Sequence, residues 1–174
     1  MRLHPHPLVP VDHPRRRALQ AAASGLLLAG CAGLPGSPGR PASGLSPALA
    51  AQQQRLADAL AGTPVQVQAR GPVLRVRVPL RHAHAPGQTA VKPPLQAVLE
   101  QLAIGFKPHA AVSEVLVRAP ADAGLRGTAA ASQAAERVER IREQLLRRGI
   151  ESGRVRAAGA AEGEAVELLL RDRP

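Results

Sequence analysis

The chain has 174 residues, with 23 Lys plus Arg against 13 Asp plus Glu, one Phe and neither Trp nor Tyr. Such a basic excess invites a nucleic-acid reading, but single-strand binders interleave their cations with stacking aromatics, and this chain has almost none; no nucleic-acid partner is expected. The length suits one domain with a tether and is short for two. Any core must come from Val, Leu, Ile and Ala, which bury less per residue than aromatic rings, so modest stability is expected. Arg supplies 21 of the 23 basic residues, a skew typical of GC-rich coding sequence. A positive surface of this kind favours approach to anionic lipid or cell-wall polymer.

At the N-terminus Arg15, Arg16 and Arg17 precede an apolar stretch, Ala18 to Leu28, that ends in Ala29, Gly30 and Cys31. Basic, apolar, then small residues is the layout of an export signal, here residues 1–30. Its 11-residue apolar stretch falls short of the ~20 residues that a membrane-spanning helix needs. Leu28-Ala29-Gly30-Cys31 resembles the lipobox of bacterial lipoproteins. That resemblance implies cleavage before Cys31 and lipid, palmitate included, on the new N-terminus. Ala32, standing where Asp would signal inner-membrane retention, implies the outer membrane, with the domain facing the periplasm. The rival reading, an ordinary secretory signal, would leave Cys31 an unpaired reactive thiol. From Cys31 onward 144 residues remain, with 19 basic against 12 acidic side chains.

Residues 31–46 are rich in Gly, Pro, Ser and Ala and read as a flexible tether. Residues 47–62 follow as a short amphipathic helix, with Leu49, Leu56 and Leu60 on one face and Gly62 as its stop. Val65, Val67 and Ala69 alternate with glutamines, and after Arg70-Gly71-Pro72 the alternation resumes at Leu74, Val76 and Val78. That pattern is a β-hairpin or a bent strand. Residues 81–92 read as loop. Pro93 and Pro94 can open a helix whose apolar face is Leu95, Val98, Leu99, Leu102, Ala103 and Phe106. A short strand at Val115–Val117, a loop at 120–128 and a long helix to about Arg148 come next, with Gly149 placed as a left-handed cap. Two further strands, Arg154–Ala158 and Ala165–Leu170, close the chain. The expected fold is α+β: a two-layer sandwich of a small mixed sheet with helices on one face, spanning 63–172.

From Val117 onward the spacing resembles the OmpA-like peptidoglycan-binding domain family. Its pattern is a strand, Gly-His-Thr-Asp, a loop, Asn-x-x-Leu-Ser-x-x-Arg-Ala, a helix, Gly-Val or Gly-Ile, Arg-Val and a late Gly. Here Asp122 takes the Asp position and Arg137 the Arg position. Ile141, Leu145, Gly149-Ile150, Arg154-Val155 and Gly159 follow in register. Upstream, His84 to Pro93 resembles the family's Phe-x-x-x-Ser-Ala-x-Leu-x-Pro segment, with His84 in place of Phe. Ala119, Pro120 and Ala121 replace Gly-His-Thr, Ala130 replaces Asn, and Gln133-Ala134 replace Leu-Ser.

The resemblance implies a peptidoglycan-binding lipoprotein with an OmpA-like βαβαβ-type fold, linking the envelope to the cell wall. The ligand it implies is diaminopimelate, whose free end carries an ammonium beside a carboxylate. Asp122 would take the ammonium. Arg137 would take the carboxylate through its fork, a geometry that Lys lacks. The competing reading makes Asp122 and Arg137 a structural ion pair in a scaffold that has lost its ligand and joins envelope protein partners instead. His82 and His84 share a loop without a third metal ligand nearby, so no metal is expected. No nucleophile constellation or phosphate loop appears; the reading is of a non-enzyme without cofactors.

Overall fold

The computed structural model describes residues 44–174. Cys31 and the export signal lie outside them. The described residues form α1 (Pro47–Ala59), β1 (Gln66–Arg70), β2 (Val73–Pro79), α2 (Leu80–Ala83), α3 (Pro93–Phe106), β3 (Ser113–Ala119), α4 (Gly127–Arg147), β4 (Val155–Ala160) and β5 (Ala165–Asp172). None of these helices is long and apolar enough to cross a membrane.

The alternation seen between residues 65 and 78 becomes a true hairpin, with β1 antiparallel to β2 across Gly71 and Pro72. The five-stranded sheet has the order β1-β2-β5-β3-β4. Only the β3–β4 pair is parallel, joined by the α4 crossover, and β5 runs antiparallel to both its neighbours. The sheet is therefore mixed, as expected.

Because side chains alternate across a pleated strand, the register sorts the sheet into two faces. On the inner face one row runs Ala69, Leu74, Leu170, Val115, Val155, and a second runs Val67, Val76, Leu168, Val117, Ala157. Leu74, Val76, Val115, Val117, Val155, Leu168 and Leu170 of these rows pack with Leu95, Leu99, Leu102 and Phe106 of α3 and with Val138, Ile141 and Leu145 of α4 in one core, Val67 and Ala69 lie half-buried against it, and Ala157 is exposed. The predicted helical faces are the buried ones. Such a core of Leu, Val, Ile and Ala holds the single Phe at its centre.

Two boundaries differ from the sequence reading. Leu45, assigned to the tether, is buried in the core, so the domain begins before Ser46. Ser46 itself caps α1, its Oγ accepting from the Leu49 N–H, a strong preference of Ser at that position. The helix read as separate from the domain is part of it: Leu49, Leu56 and Leu60 join the core, and Gln52 donates to the Leu102 carbonyl of α3 at 3.2 Å. Gly105 on α3 has no side chain to block Arg55, which a Cβ there would overlap. The stretch read as loop from residue 81 opens with the single helical turn α2. Four residues are too few to show apolar periodicity.

The end of α4 follows its expected cap closely. Gly149 has φ of 84°, its N–H donates to Leu146, and the Ile150 N–H donates to Leu145. That is the double bond of a Schellman motif, and Ile150 packs into the core beside it.

Candidate functional site

Strands β2 and β3 are both antiparallel to β5, so their C-terminal ends lie at the same end of the sheet. Two segments leave from there: α2 with the loop 84–92 after β2, and the loop 120–126 before α4. Asp122 and Arg137, fifteen residues apart in sequence, meet between them. An Arg137 Nη donates to Asp122 Oδ1 at 2.6 Å.

Arg137 is completely buried, whereas the Asp122 side chain is 26 % exposed. All three guanidinium nitrogens are engaged. Besides Asp122, they donate to the Pro120 carbonyl at 2.8 Å and to the Gln88 carbonyl at 3.1 Å. One side chain thus ties α4 to both loops. The sequence reading offered the Arg137 fork to a ligand carboxylate, but here the fork faces inward.

Asp122 is held as firmly. Its Oδ2 accepts from the Gly87 N–H at 2.7 Å and from Gln133 Nε2 at 3.0 Å. Its own N–H donates to Gln133 Oε1 at 2.8 Å. The Arg137 hydrogen bond, the Gly87 N–H and then Gln133 hold this carboxyl at a pKa of about 2, below its ordinary 3.8. Each of these bonds favours the charged form. Gln133 was noticed only as a departure from the family pattern. Its signal was its position one helical turn before Arg137, since residues four apart share a helix face.

His84 stands beneath this pair. Its ring is buried, and Nδ1 lies 3.0 Å from the Ala90 carbonyl. A carbonyl only accepts, so Nδ1 carries the proton and Nε2 is left as a buried acceptor without a partner. Burial lowers its pKa below 6.5, against the opposing pull of the Ala90 carbonyl; the Arg137 charge lowers it further. A neutral imidazole in the Phe position is thus a packing residue with one anchoring bond. His82 is half-buried and accepts from Arg81 Nε. Among the described residues no three His, Cys, Asp or Glu side chains gather as a metal set.

The exposed edge of Asp122 opens into a cleft of about 310 Å³ lined by Pro79, Leu80, Arg81, His84, Pro86, Asp122 and Glu164. The Leu80 N–H, bonded to the Glu164 carbonyl at 2.9 Å, joins the β4–β5 loop to its wall. The cleft is therefore lined by two acidic residues, one arginine (Arg81) and the apolar Pro79, Leu80 and Pro86. Neither Arg81 nor Glu164 was singled out from sequence.

No family model and no curated protein matches the chain. Solved structures do. A MotB-like protein from Desulfovibrio vulgaris superposes with a TM-score of 0.60 at 18% identity, over 72% of this chain and 92% of that one. The cell wall anchor of the T6SS from Pseudomonas aeruginosa gives 0.56 at 15% identity, over 70% and 97%. The periplasmic domain of Helicobacter pylori MotB gives 0.54 at 13%, over 66% and 83%. The chain has an OmpA-like fold. At these identities the likeness is one of fold, and the fold is the one that the spacing around Asp122 and Arg137 implied.

Proposed function

We propose that this chain is a non-enzymatic lipoprotein of the outer membrane, anchored by lipid on Cys31, whose periplasmic domain binds peptidoglycan non-covalently and so links the envelope to the cell wall. The observation that carries the proposal is the ionised Asp122 carboxylate, fixed by Arg137, Gly87 and Gln133 and presented at a cleft beside Glu164 and Arg81. An ammonium beside a carboxylate, as at the free end of diaminopimelate, matches that charge pattern. The ammonium goes to Asp122, with Glu164 nearby. The carboxylate goes to Arg81, because Arg137 is spent inside the protein. Arg137 then acts as the positioning residue of Asp122. Support also comes from the fold shared with a cell wall anchor and with periplasmic domains of MotB.

The burial of Arg137 favours a second reading, in which the pair is purely structural and the domain is a protein-interaction subunit of an envelope complex. Pulldown on purified peptidoglycan separates the two. The expected result is sedimentation of wild-type protein with the wall, released by free diaminopimelate. Asp122→Asn and Arg81→Gln should each weaken it by about 10- to 100-fold, the scale of one charge-assisted hydrogen bond. Wild-type protein that stays in the supernatant supports the scaffold reading. The anchor is tested separately: labelled palmitate should enter the wild-type chain and not Cys31→Ser.

A further inference from the structure

The sheet face turned away from the helices has a composition unlike the rest of the surface. The register that buries one set of side chains places the other set in rows: Gln66, Arg77, Glu167, Arg118; then Gln68, Arg75, Leu169, Leu116, Arg156; then Arg70, Val73, Arg171, Glu114. Six arginines share this face with two glutamates. Both glutamates are only 2 % exposed, at the base of the array. Arg75 and Arg77 pair with Glu167, while Arg156 and Arg171 pair with Glu114 at 2.9 and 2.6 Å. Each anion is thus covered by two cations. Arg70 and Arg118 have no carboxylate partner among the described residues. The Nε atoms of Arg75 and Arg77 are buried without an acceptor.

The structure therefore presents a flat array with four surplus positive charges, guanidiniums outermost, around two half-buried leucines, Leu116 and Leu169. We propose that this face docks on a phosphate-bearing anionic lipid leaflet. Guanidinium forks take phosphate oxygens in pairs, and a planar array of long arginines suits a planar field of headgroups better than it suits a single extended acidic peptide. The chain's entry point agrees. Gly44 lies against Gly71, in the turn next to Arg70, and only twelve residues lie between it and Cys31. Thirteen Cα–Cα steps reach at most about 45 Å, so lipid on Cys31 would keep the domain within that distance of a bilayer surface. The docking itself rests on charge and not on the wall-binding cleft, which opens at the far end of β2 and β3.

The test is vesicle flotation of the full-length chain carrying Cys31→Ser, so that no attached lipid contributes. Wild-type surface residues should bring it up with vesicles containing phosphatidylglycerol and not with pure phosphatidylcholine, and high salt should release it. The informative variant combines Arg70→Gln, Arg118→Gln and Arg156→Gln, which leaves every buried glutamate at least one arginine. Its partition should fall by on the order of a hundredfold, since each basic residue at an anionic surface contributes a factor of about five. The matching triple Lys variant should keep most of the binding, and all three proteins should melt alike. Flotation that survives the Gln changes, or that is equal on neutral vesicles, overturns the proposal. So does retention on immobilised polyglutamate without flotation, which would assign the face to an acidic protein.

Discussion

Two charge systems in this domain are built inside out with respect to each other. At the cleft the cation is buried and the anion looks outward: Arg137 is wholly enclosed and Asp122 is 26 % exposed. On the open sheet face the anions are buried and the cations look outward, with Glu114 and Glu167 beneath Arg156, Arg171, Arg75 and Arg77. Both arrangements satisfy the requirement that a buried charge be paired. They differ in what a partner meets. The cleft shows negative charge and fits an ammonium, whereas the face shows positive charge and fits phosphate. Net charge alone, strongly basic throughout, hides that division.

The same inversion predicts unequal costs when a buried member is removed. Arg137→Met leaves Asp122 Oδ1, the Pro120 carbonyl and the Gln88 carbonyl without their donor, and it unties two loops from α4. Breaking a buried pair in this way costs about 3–5 kcal/mol, so the unfolding free energy extrapolated from urea titration should fall by that amount. Glu114→Gln is expected to cost about 1–2 kcal/mol. Its two former partners, Arg156 and Arg171, already reach solvent and can turn to water, and the glutamine keeps one acceptor oxygen. Equal losses in the two variants would erase the distinction between cleft and face.

Much of the fold was legible in the sequence because its periodicities are strong. The period-two run of Leu74, Val76 and Val78 and the helical stripe Leu95, Val98, Leu99, Leu102 all bury as read, and Val67 lies half-buried against them. Leu45 was missed because one leucine in a Gly- and Pro-rich segment carries no period. Asp122 and Arg137 were found through the resemblance to the OmpA-like pattern, and the structure brings them into contact. Which of the two faces outward was not readable, since burial of an arginine depends on the acceptors around it, and the Gln88 and Pro120 carbonyls come from loops whose path no local pattern specifies. For the same reason Arg81 and Glu164 stayed invisible: they join the cleft only when α2 and the β4–β5 loop are brought together.

The smallest of the expected effects concerns acid, and it separates Asp122 from His84. Asp122 has its pKa depressed to about 2 from 3.8 by Arg137, Gly87 and Gln133. The native state therefore holds this proton less tightly than the unfolded chain, and the associated stability is complete above the unfolded value and drains away as pH falls from 3.8 toward 2. His84 is also depressed, from 6.5, by burial. The unfolded chain takes up that proton first, so a separate loss of stability begins as pH falls through 6.5. A plot of unfolding free energy against pH should bend twice. Asp122→Asn should remove the lower bend alone, and His84→Gln the upper one alone. If Asp122→Asn also flattens the upper bend, the two groups titrate as one network, and the cleft is then a single coupled unit instead of an anion resting on a neutral imidazole.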